Sequence, residues 1–414
     1  MRSGTLVRHG RIDLMSLLSS VERAPRDPIL GLTEAFVADE RPGKVNLGVG
    51  VYMDEAGKVP LLECVRAAQQ RLAEAQKPYG YLPIDGLKAY DDAVAGLVFS
   101  DPGSGEPVVA RDRVAVVQGL GGTGALKVAG DFLRRTLPEA KLLISNPSWE
   151  NHNALFTRAG FEVSSYPYYD ATGHRVDVDA MVTALGQADP GTVVVLHACC
   201  HNPTGYDLTP EQWSRVEQVV RERGLVPLLD MAYQGFATGL AEDGAAVRQF
   251  AASGPVFVTT SFSKTFSLYG ERIGALSVVC DDADEAARVL SQLKIVVRTT
   301  YSNPPTTGAS LVATVLADDA LRAQWESELG GMRDRIKQMR GALVEGLRQA
   351  RPDVDASHIT TQNGMFSYSG LAKEQMVRLR EEFGLYGLDS GRLAIPALNP
   401  GNLDRVVDGL AKVW

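Results

Sequence analysis

Six short apolar runs punctuate the middle of the chain, at residues 114–117, 142–144, 193–196, 226–229, 256–258 and 275–279. Each is continuous rather than alternating, the pattern of strands covered on both faces. Stretches with helical spacing lie between most of them, among them 124–135, 210–223 and 241–250. Strands separated by helices predict an α/β fold around a mostly parallel sheet. Ahead of this region, Asp27-Pro28 reads as an N-cap followed by proline at the first helical position, opening a helix that carries Ile29, Leu30, Leu32 and Phe36. Residues 45–52 then read as extended chain, with Gly48 and Gly50 allowing close backbone approach. After the last run, helical spacing returns near 284–298 and 318–350. The tail is mixed: strand 365–368, helix 373–383, strand 392–395 and a last helix from Asn402.

At 414 residues the chain exceeds what one core organises, yet no repeat, low-complexity tract or Gly/Ser linker divides it. The expectation is a large domain at 61–327 and a smaller α+β domain built from both chain ends, 23–60 and 328–414, behind a disordered leader at 1–22. Arg2, Arg8 and Arg11 among serines give that leader a faint likeness to a transit peptide, with Met15 as an alternative start. A net charge of −8 argues against a nucleic-acid or anionic-membrane surface. No apolar run reaches the roughly 18–20 residues that span a bilayer. The four cysteines (Cys64, Cys199, Cys200 and Cys280) form neither a disulfide framework nor a zinc spacing. The adjacent Cys199–Cys200 reads as two small buried thiols at a strand end, and a cytoplasmic setting suits it.

Candidate chemistry begins with Gly119-Leu-Gly121-Gly122-Thr123-Gly124, which follows a strand and opens a helix. It matches the dinucleotide fingerprint formally, but the next strand runs into Asn146-Pro147, without the carboxylate that would bind a ribose. Lys127 is misplaced for a nucleotide P-loop. A phosphate cradle of backbone N–H groups and a plain structural turn both stay open. Three more clusters lie just past strands. Lys264, in Ser261-Phe262-Ser263-Lys264, is a lysine among small residues that can lose its proton and form a Schiff base, or a plain exposed lysine. Asp230, with Tyr233 three residues on, can hold a protonated pyridine nitrogen, or cap a helix. Asn202, in His201-Asn202-Pro203-Thr204-Gly205, can donate to a phenolic oxygen, or serve as a turn residue.

Taken together, the segments NLGVGVY, YLPIDG, GGTGALK, SNPSWENH, CCHNPTG, LLDMAYQGF, SFSKTFSLYGERIGA, YSNPP, NGMFS and SGR resemble class I aminotransferases, in the branch of the aspartate and aromatic-amino-acid enzymes. The match runs in order from about Asp27 to the C-terminus. The resemblance implies a pyridoxal 5′-phosphate enzyme of fold-type I, a homodimer with shared active sites, small amino and 2-oxo acids as partners, and no metal. It implies that Lys264 holds the cofactor and then moves the proton, that Asp230 pairs with the pyridine nitrogen, and that Asn202 and Tyr233 hold the phenolic oxygen. Trp149 stacks near the ring and helps bind substrate. Gly122, Thr123, Ser261 and Arg272 bind phosphate, joined by Tyr81 of the other subunit. Arg392 forks onto the substrate α-carboxylate, over which Gly50 lets the small domain close. Arg298, again in trans, meets a distal carboxylate.

Substrate choice reads less uniformly. Arg298 favours dicarboxylic acids, and Asn303 and Thr123 resemble the aspartate enzymes. The glycine loop, the lysine segment and the Tyr-rich 161–170 resemble the aromatic ones. Met53, Val59 and Gly80 match neither, and Ile395-Pro396-Ala397 departs from the small residues expected after SGR. The implied activity is reversible, ping-pong transfer through pyridoxamine phosphate, from aspartate or aromatic amino acids to 2-oxoglutarate. A specialised aminotransferase for an unusual amino acid and a cofactor-sharing lyase or decarboxylase are the alternatives. The latter would not need Arg298.

Overall fold

The computed structural model describes residues 18–23, 28–78 and 80–414. Most of the expected leader and the Asp27 cap lie outside the described residues; the first helix, Pro28–Ala38, begins at the expected proline. Among the described residues the strands, in chain order, are β1 (Val45–Asn46), β2 (Val114–Leu120), β3 (Leu142–Asn146), β4 (Val163–Pro167), β5 (Tyr169–Asp170), β6 (Arg175–Val176), β7 (Val193–His197), β8 (Val226–Met231), β9 (Val256–Ser261), β10 (Ile273–Val279), β11 (Phe366–Tyr368), β12 (Leu385–Tyr386) and β13 (Arg392–Ala394).

Seven of them form the central sheet in the order β2-β10-β9-β8-β7-β3-β4. Every pairing is parallel except those of β10, which runs antiparallel to both β2 and β9. The continuous apolar runs have a direct cause. In β7, Val193 and Val195 enter one buried cluster while Val194 and Leu196 enter the other, so each face of the sheet needs its own apolar set. Helices Gly121–Thr136, Glu150–Arg158 and Ala283–Thr300 cover one face.

The two chain ends meet. β1 pairs in parallel with β12, and the Ala394 amide donates to Leu47 O at 2.7 Å. β11 and β13 form an antiparallel ladder in which Tyr368 stands opposite Arg392. The helix Asp319–Ala350 runs unbroken through residues 327 and 328, where the domain boundary was placed. Its Trp325, fully buried, donates from Nε1 to Thr265 O at 2.8 Å and stacks on Phe266, fastening the helix to the loop that carries Lys264.

Several expectations need adjusting. The extended segment 45–52 forms a strand only at β1, with Leu47 still bonded to Tyr386 O and to the Ala394 amide. The expected helix 241–250 is two pieces, Leu240–Asp243 and Ala245–Ser253, broken at Gly244, and the Asp243 carboxylate collects the amides of Gly235, Ala237 and Thr238 ahead of the first piece. The last strand stops at Ala394, and Ile395–Ala397 turns as a 3₁₀ segment around Pro396. The edge strand β4 and the helix Thr307–Leu316 were not anticipated.

One close approach positions the phosphate-side turn. A Cβ on Gly274 would stand 2.6 Å from Gly121 C and from Thr260 O, both backbone atoms that cannot swing aside. Gly274→Ala is therefore expected to destabilise the protein by about 1–3 kcal/mol and to weaken cofactor retention, as read by urea denaturation and by absorbance after gel filtration. A midpoint equal to that of the parent protein would contradict this.

Candidate active site

Parallel strands deliver their C-terminal ends to one edge of the sheet, where ligands of open α/β sheets sit. There β2 leads into Gly121, β7 into the loop carrying Cys199 and Asn202, β8 ends with Asp230 and Met231, and β9 ends in Ser261. Between them opens a cleft lined by Gly122, Thr123, Trp149, Asn202, Asp230, Tyr233, Ser261, Lys264 and Arg272, nine of the expected site residues, with His197 and Ser263 beside them.

One end of the cleft suits an anion. The Gly121 amide donates to Arg272 O at 2.9 Å, and no side chain caps the start of the helix Gly121–Thr136, the usual place for an anion to meet backbone N–H groups. Gly121 has φ +68°, and a Cβ there would lie 2.4 Å from Arg272 Nη2; glycine is what lets the guanidinium close over the helix start. At Gly122 a Cβ would meet Ser261 Cβ at 3.2 Å. Arg272 Nη1 donates to Ser263 Oγ at 3.1 Å and to Tyr269 O at 3.2 Å.

Asp230, 6 % exposed, occupies the other end. Thr259 Oγ1 donates to its Oδ1 at 3.1 Å, and His152 Nε2 lies 3.0 Å from Oδ2. A carboxylate only accepts, so His152 carries its proton on Nε2; Ser148 Oγ sits 3.0 Å from Nδ1. Burial pushes the Asp230 pKa up, but the hydrogen bond and charge of His152, with His197 and Thr259, outweigh it and hold the carboxyl below its ordinary range. Lys264 reaches across from the β9 loop, its Nζ 5.0 Å from the Tyr233 ring centroid. Burial, aided by Arg272 and opposed by Asp230, pushes its pKa down to about 8. About one molecule in ten then carries the free amine at pH 7, against a few in ten thousand for an ordinary lysine.

Arg392 stands beside the cleft, 1 % exposed. Its Nη1 donates to Asn202 Oδ1 at 3.0 Å and its Nη2 to Gly48 O at 2.8 Å, while Nε has no partner. The guanidinium lies 4.0 Å from the Phe366 ring centroid. A Cβ on Gly50 would stand 2.6 Å from Phe366 Cζ, which places Gly50 against the ring that supports Arg392. Tyr81 and Arg298 do not enter the cleft. Tyr81 is 96 % exposed, Arg298 is exposed with Nη1 on Ser302 Oγ at 2.5 Å, and Asn303 Nδ2 joins their two loops through Leu82 O at 2.9 Å.

Sequence reasoning gave no role to three histidines below the cleft. His197 is tilted against His152, with ring centroids 4.9 Å apart, and edge-on to His201 at 4.3 Å. His201 is held by Ser145 Oγ and Thr204 Oγ1 and stacks on Tyr168. The available signal was the spacing of Ser148 and His152, one helical turn apart just after Asn146-Pro147. A cleft with an anion cradle at one end, a buried carboxylate at the other and a deprotonation-prone lysine between fits pyridoxal 5′-phosphate: phosphate against Gly122, Thr123, Ser261 and Arg272, and a protonated ring nitrogen at Asp230.

Comparison with known proteins agrees with that fit. The family model for aminotransferase class I and II matches residues 42–410. The aspartate aminotransferase of Pseudomonas aeruginosa is 55% identical over 96% of this chain and all of its own length. The aromatic-amino-acid aminotransferase of Escherichia coli is 48% identical over the same shares. Among solved structures, the aromatic-amino-acid aminotransferase of Burkholderia pseudomallei, covalently bound to pyridoxal phosphate, superposes with a TM-score of 0.93 at 60% identity, covering 96% of this chain and 100% of that one. The psychrophilic aromatic aminotransferase of Psychrobacter, cocrystallised with aspartic acid, gives 0.92 at 44% identity, covering 96% and 99%.

Burial holds two of the histidines neutral, His197 with a pKa pushed down to about 3 and His201 well below the ordinary value. A group whose folded pKa is depressed binds its proton in the unfolded chain first, so stability is lost as pH falls below about 6.5. His197 then removes about 2 kcal/mol between pH 6.5 and 5, and His201 acts in the same direction. The urea midpoint of the cofactor-free protein should drop across that window, and one that holds steady from pH 7 to 5 would contradict the neutral assignment.

Proposed function

The chain belongs to the class I and II aminotransferases, and from that premise we propose that it moves an amino group reversibly from aspartate and aromatic amino acids to 2-oxoglutarate. It is a transaminase that uses pyridoxal 5′-phosphate. When bound, that cofactor supplies an electron sink for the charge left on the substrate carbon once its α-proton has gone.

The observation that carries the reading is Arg392. A buried guanidinium with an unpartnered Nε is costly unless an anion completes it. Its fork suits a planar carboxylate, and Asn202 and Gly48 O fix the plane of the fork before substrate arrives. A substrate held there by its α-carboxylate presents its Cα to Lys264. Lys264 Nζ, with its lowered pKa, would take the α-proton and hand it to the cofactor within the same half of the exchange, one amine acting as base and then acid, and would run the same transfer in reverse in the second half. Before substrate binds, Lys264 would be the residue that holds the cofactor. Asn202 and Tyr233 would steady its ring oxygen, Trp149 would lie against it, and Asp230 would keep its ring nitrogen protonated.

The two exposed residues call for a second copy of the chain. Tyr81 and Arg298, tied together through Asn303, form part of a surface that in a homodimer would reach the partner's cleft, Tyr81 at the phosphate and Arg298 at a distal carboxylate. The contact of Gly50 with Phe366 supports a small domain (23–60 with 328–414) that closes over the α-carboxylate against the large one (61–327). A cytoplasmic location suits four unpaired, buried cysteines. Among the described residues no helix is long and apolar enough to cross a membrane.

Lys264→Ala is expected to lower turnover by at least about 10³-fold while the cofactor stays bound noncovalently. Turnover near that of the parent enzyme would remove lysine from the mechanism. Arg392→Lys exchanges a fork for a point charge and should raise KM for amino donors by roughly 10- to 100-fold. Steady-state kinetics with an unchanged KM would show that the α-carboxylate binds elsewhere.

A further inference from the structure

Arg340 is 2 % exposed, and none of the roles above uses it. It belongs to the helix Asp319–Ala350, which Trp325 fastens to the loop carrying Lys264. Its Nη2 donates to Gly364 O at 2.8 Å and to Phe366 O at 2.9 Å, and its Nε to Ser367 Oγ at 3.2 Å. All three acceptors are neutral, and among the described residues no carboxylate pairs with this guanidinium. An unpaired buried cation is costly, so its geometry must matter more than its charge.

The topology shows what that geometry does. β11 has a strand partner on one edge, β13, and on that side the Ile395 amide donates to Met365 O at 3.0 Å. Gly364 O and Phe366 O belong to the other edge, where no strand runs, and Arg340 stands in for one. Phe366 is the ring 4.0 Å from the Arg392 guanidinium. The residues just before it press on the loop that carries Asn202. The Asn363 amide donates to Gly205 O at 2.6 Å, and a Cβ on Gly364 would stand 2.6 Å from Cys200 Cβ. A Cβ on Gly205 would stand 3.1 Å from Phe366 O, the same oxygen that Arg340 holds. Asn202 Oδ1 in turn accepts from Arg392 Nη1. Arg340 thus pins the place where the two side-chain supports of Arg392, a ring and an amide, come together.

Resting on the reading of Arg392 as the α-carboxylate site, we propose that Arg340 is a positioning residue for substrate binding. By tying the open edge of β11 to the long helix, it holds Phe366 and the Asn202 loop in place, and through them the plane of the Arg392 fork. Arginine suits the task because two carbonyls and a hydroxyl are met from fixed directions by one planar group, which a flexible ammonium does not do.

The test uses the holoenzyme. Arg340→Met keeps the bulk, removes the three donated bonds and buries no unpaired charge. KM for aspartate and for phenylalanine should rise roughly five- to twentyfold, with kcat within about threefold of the parent. Cofactor absorbance after gel filtration should stay at the parent level. Arg340→Lys, which keeps a donor, should recover part of the loss. The deciding readout is a double-mutant cycle with Arg392→Lys: in that background Arg340→Met should change KM by less than about twofold, because the fork it positions is gone. Losses that multiply in the double variant mark a merely structural role and overturn the proposal. So does an unchanged KM in Arg340→Met where Arg392→Lys alone raises it. An unchanged KM in Arg392→Lys overturns the α-carboxylate reading and this proposal with it. Should Arg340→Met fail to fold, Ser367→Ala removes a single acceptor and enters the same cycle, with an expected rise in KM of about two- to threefold. An unchanged KM in that variant overturns the proposal.

Discussion

A charged carboxylate taken out of water at the end of a central strand is costly, and Asp230 is such a group. Its two oxygens are met by Thr259 from the neighbouring strand and by His152 from a helix that begins three residues beyond Asn146-Pro147. Neither partner is a residue with a permanent positive charge. The site is thus built to hold an anionic oxygen ready for a protonated nitrogen, and burial keeps His197 and His201 beneath it neutral. Lys264 feels the same carboxylate, which raises its pKa, yet burial and Arg272 win and leave the amine able to react near neutral pH.

The opposite end of the cleft depends on shape rather than charge. Gly121, Gly122 and Gly274 together let a helix start, a guanidinium and two strands come closer than any side chain would allow. The loop that carries Lys264 is in turn locked from outside by Trp325, so the cradle, the lysine and the long helix form one packed unit. The C-terminal ladder adds Arg392, and Phe366 beneath it meets Gly50 from the other end of the chain. The surroundings of Arg392 therefore draw on residues from three distant stretches of sequence.

Much of this was legible beforehand, for physical reasons. Strands buried on both faces must be continuously apolar, so all but one of the central strands stood out; β4, with Ser164, Ser165 and Pro167 exposed at the sheet edge, did not. Nine expected residues line one cleft; Asn202, Asp230 and Lys264 stood out because they lie just past strand ends, whereas Trp149 and Arg272 were expected from the family resemblance alone. Contacts made across the fold leave no such trace. Arg392 and Asn202 are 190 residues apart, and their bond at 3.0 Å follows only from the folded ladder. The link from His152 to Asp230 spans 78 residues and depends on where a helix comes to rest.

The measurement that bears most directly on the aminotransferase reading is the near-ultraviolet and visible absorbance of the purified holoenzyme during addition of aspartate, phenylalanine or glutamate. The band of the aldehyde form of the cofactor should give way to that of the amine form with at least one donor, and 2-oxoglutarate should restore it. A band that no donor alters, or one that changes with release of carbon dioxide and no recovery on adding a 2-oxo acid, would contradict the reading.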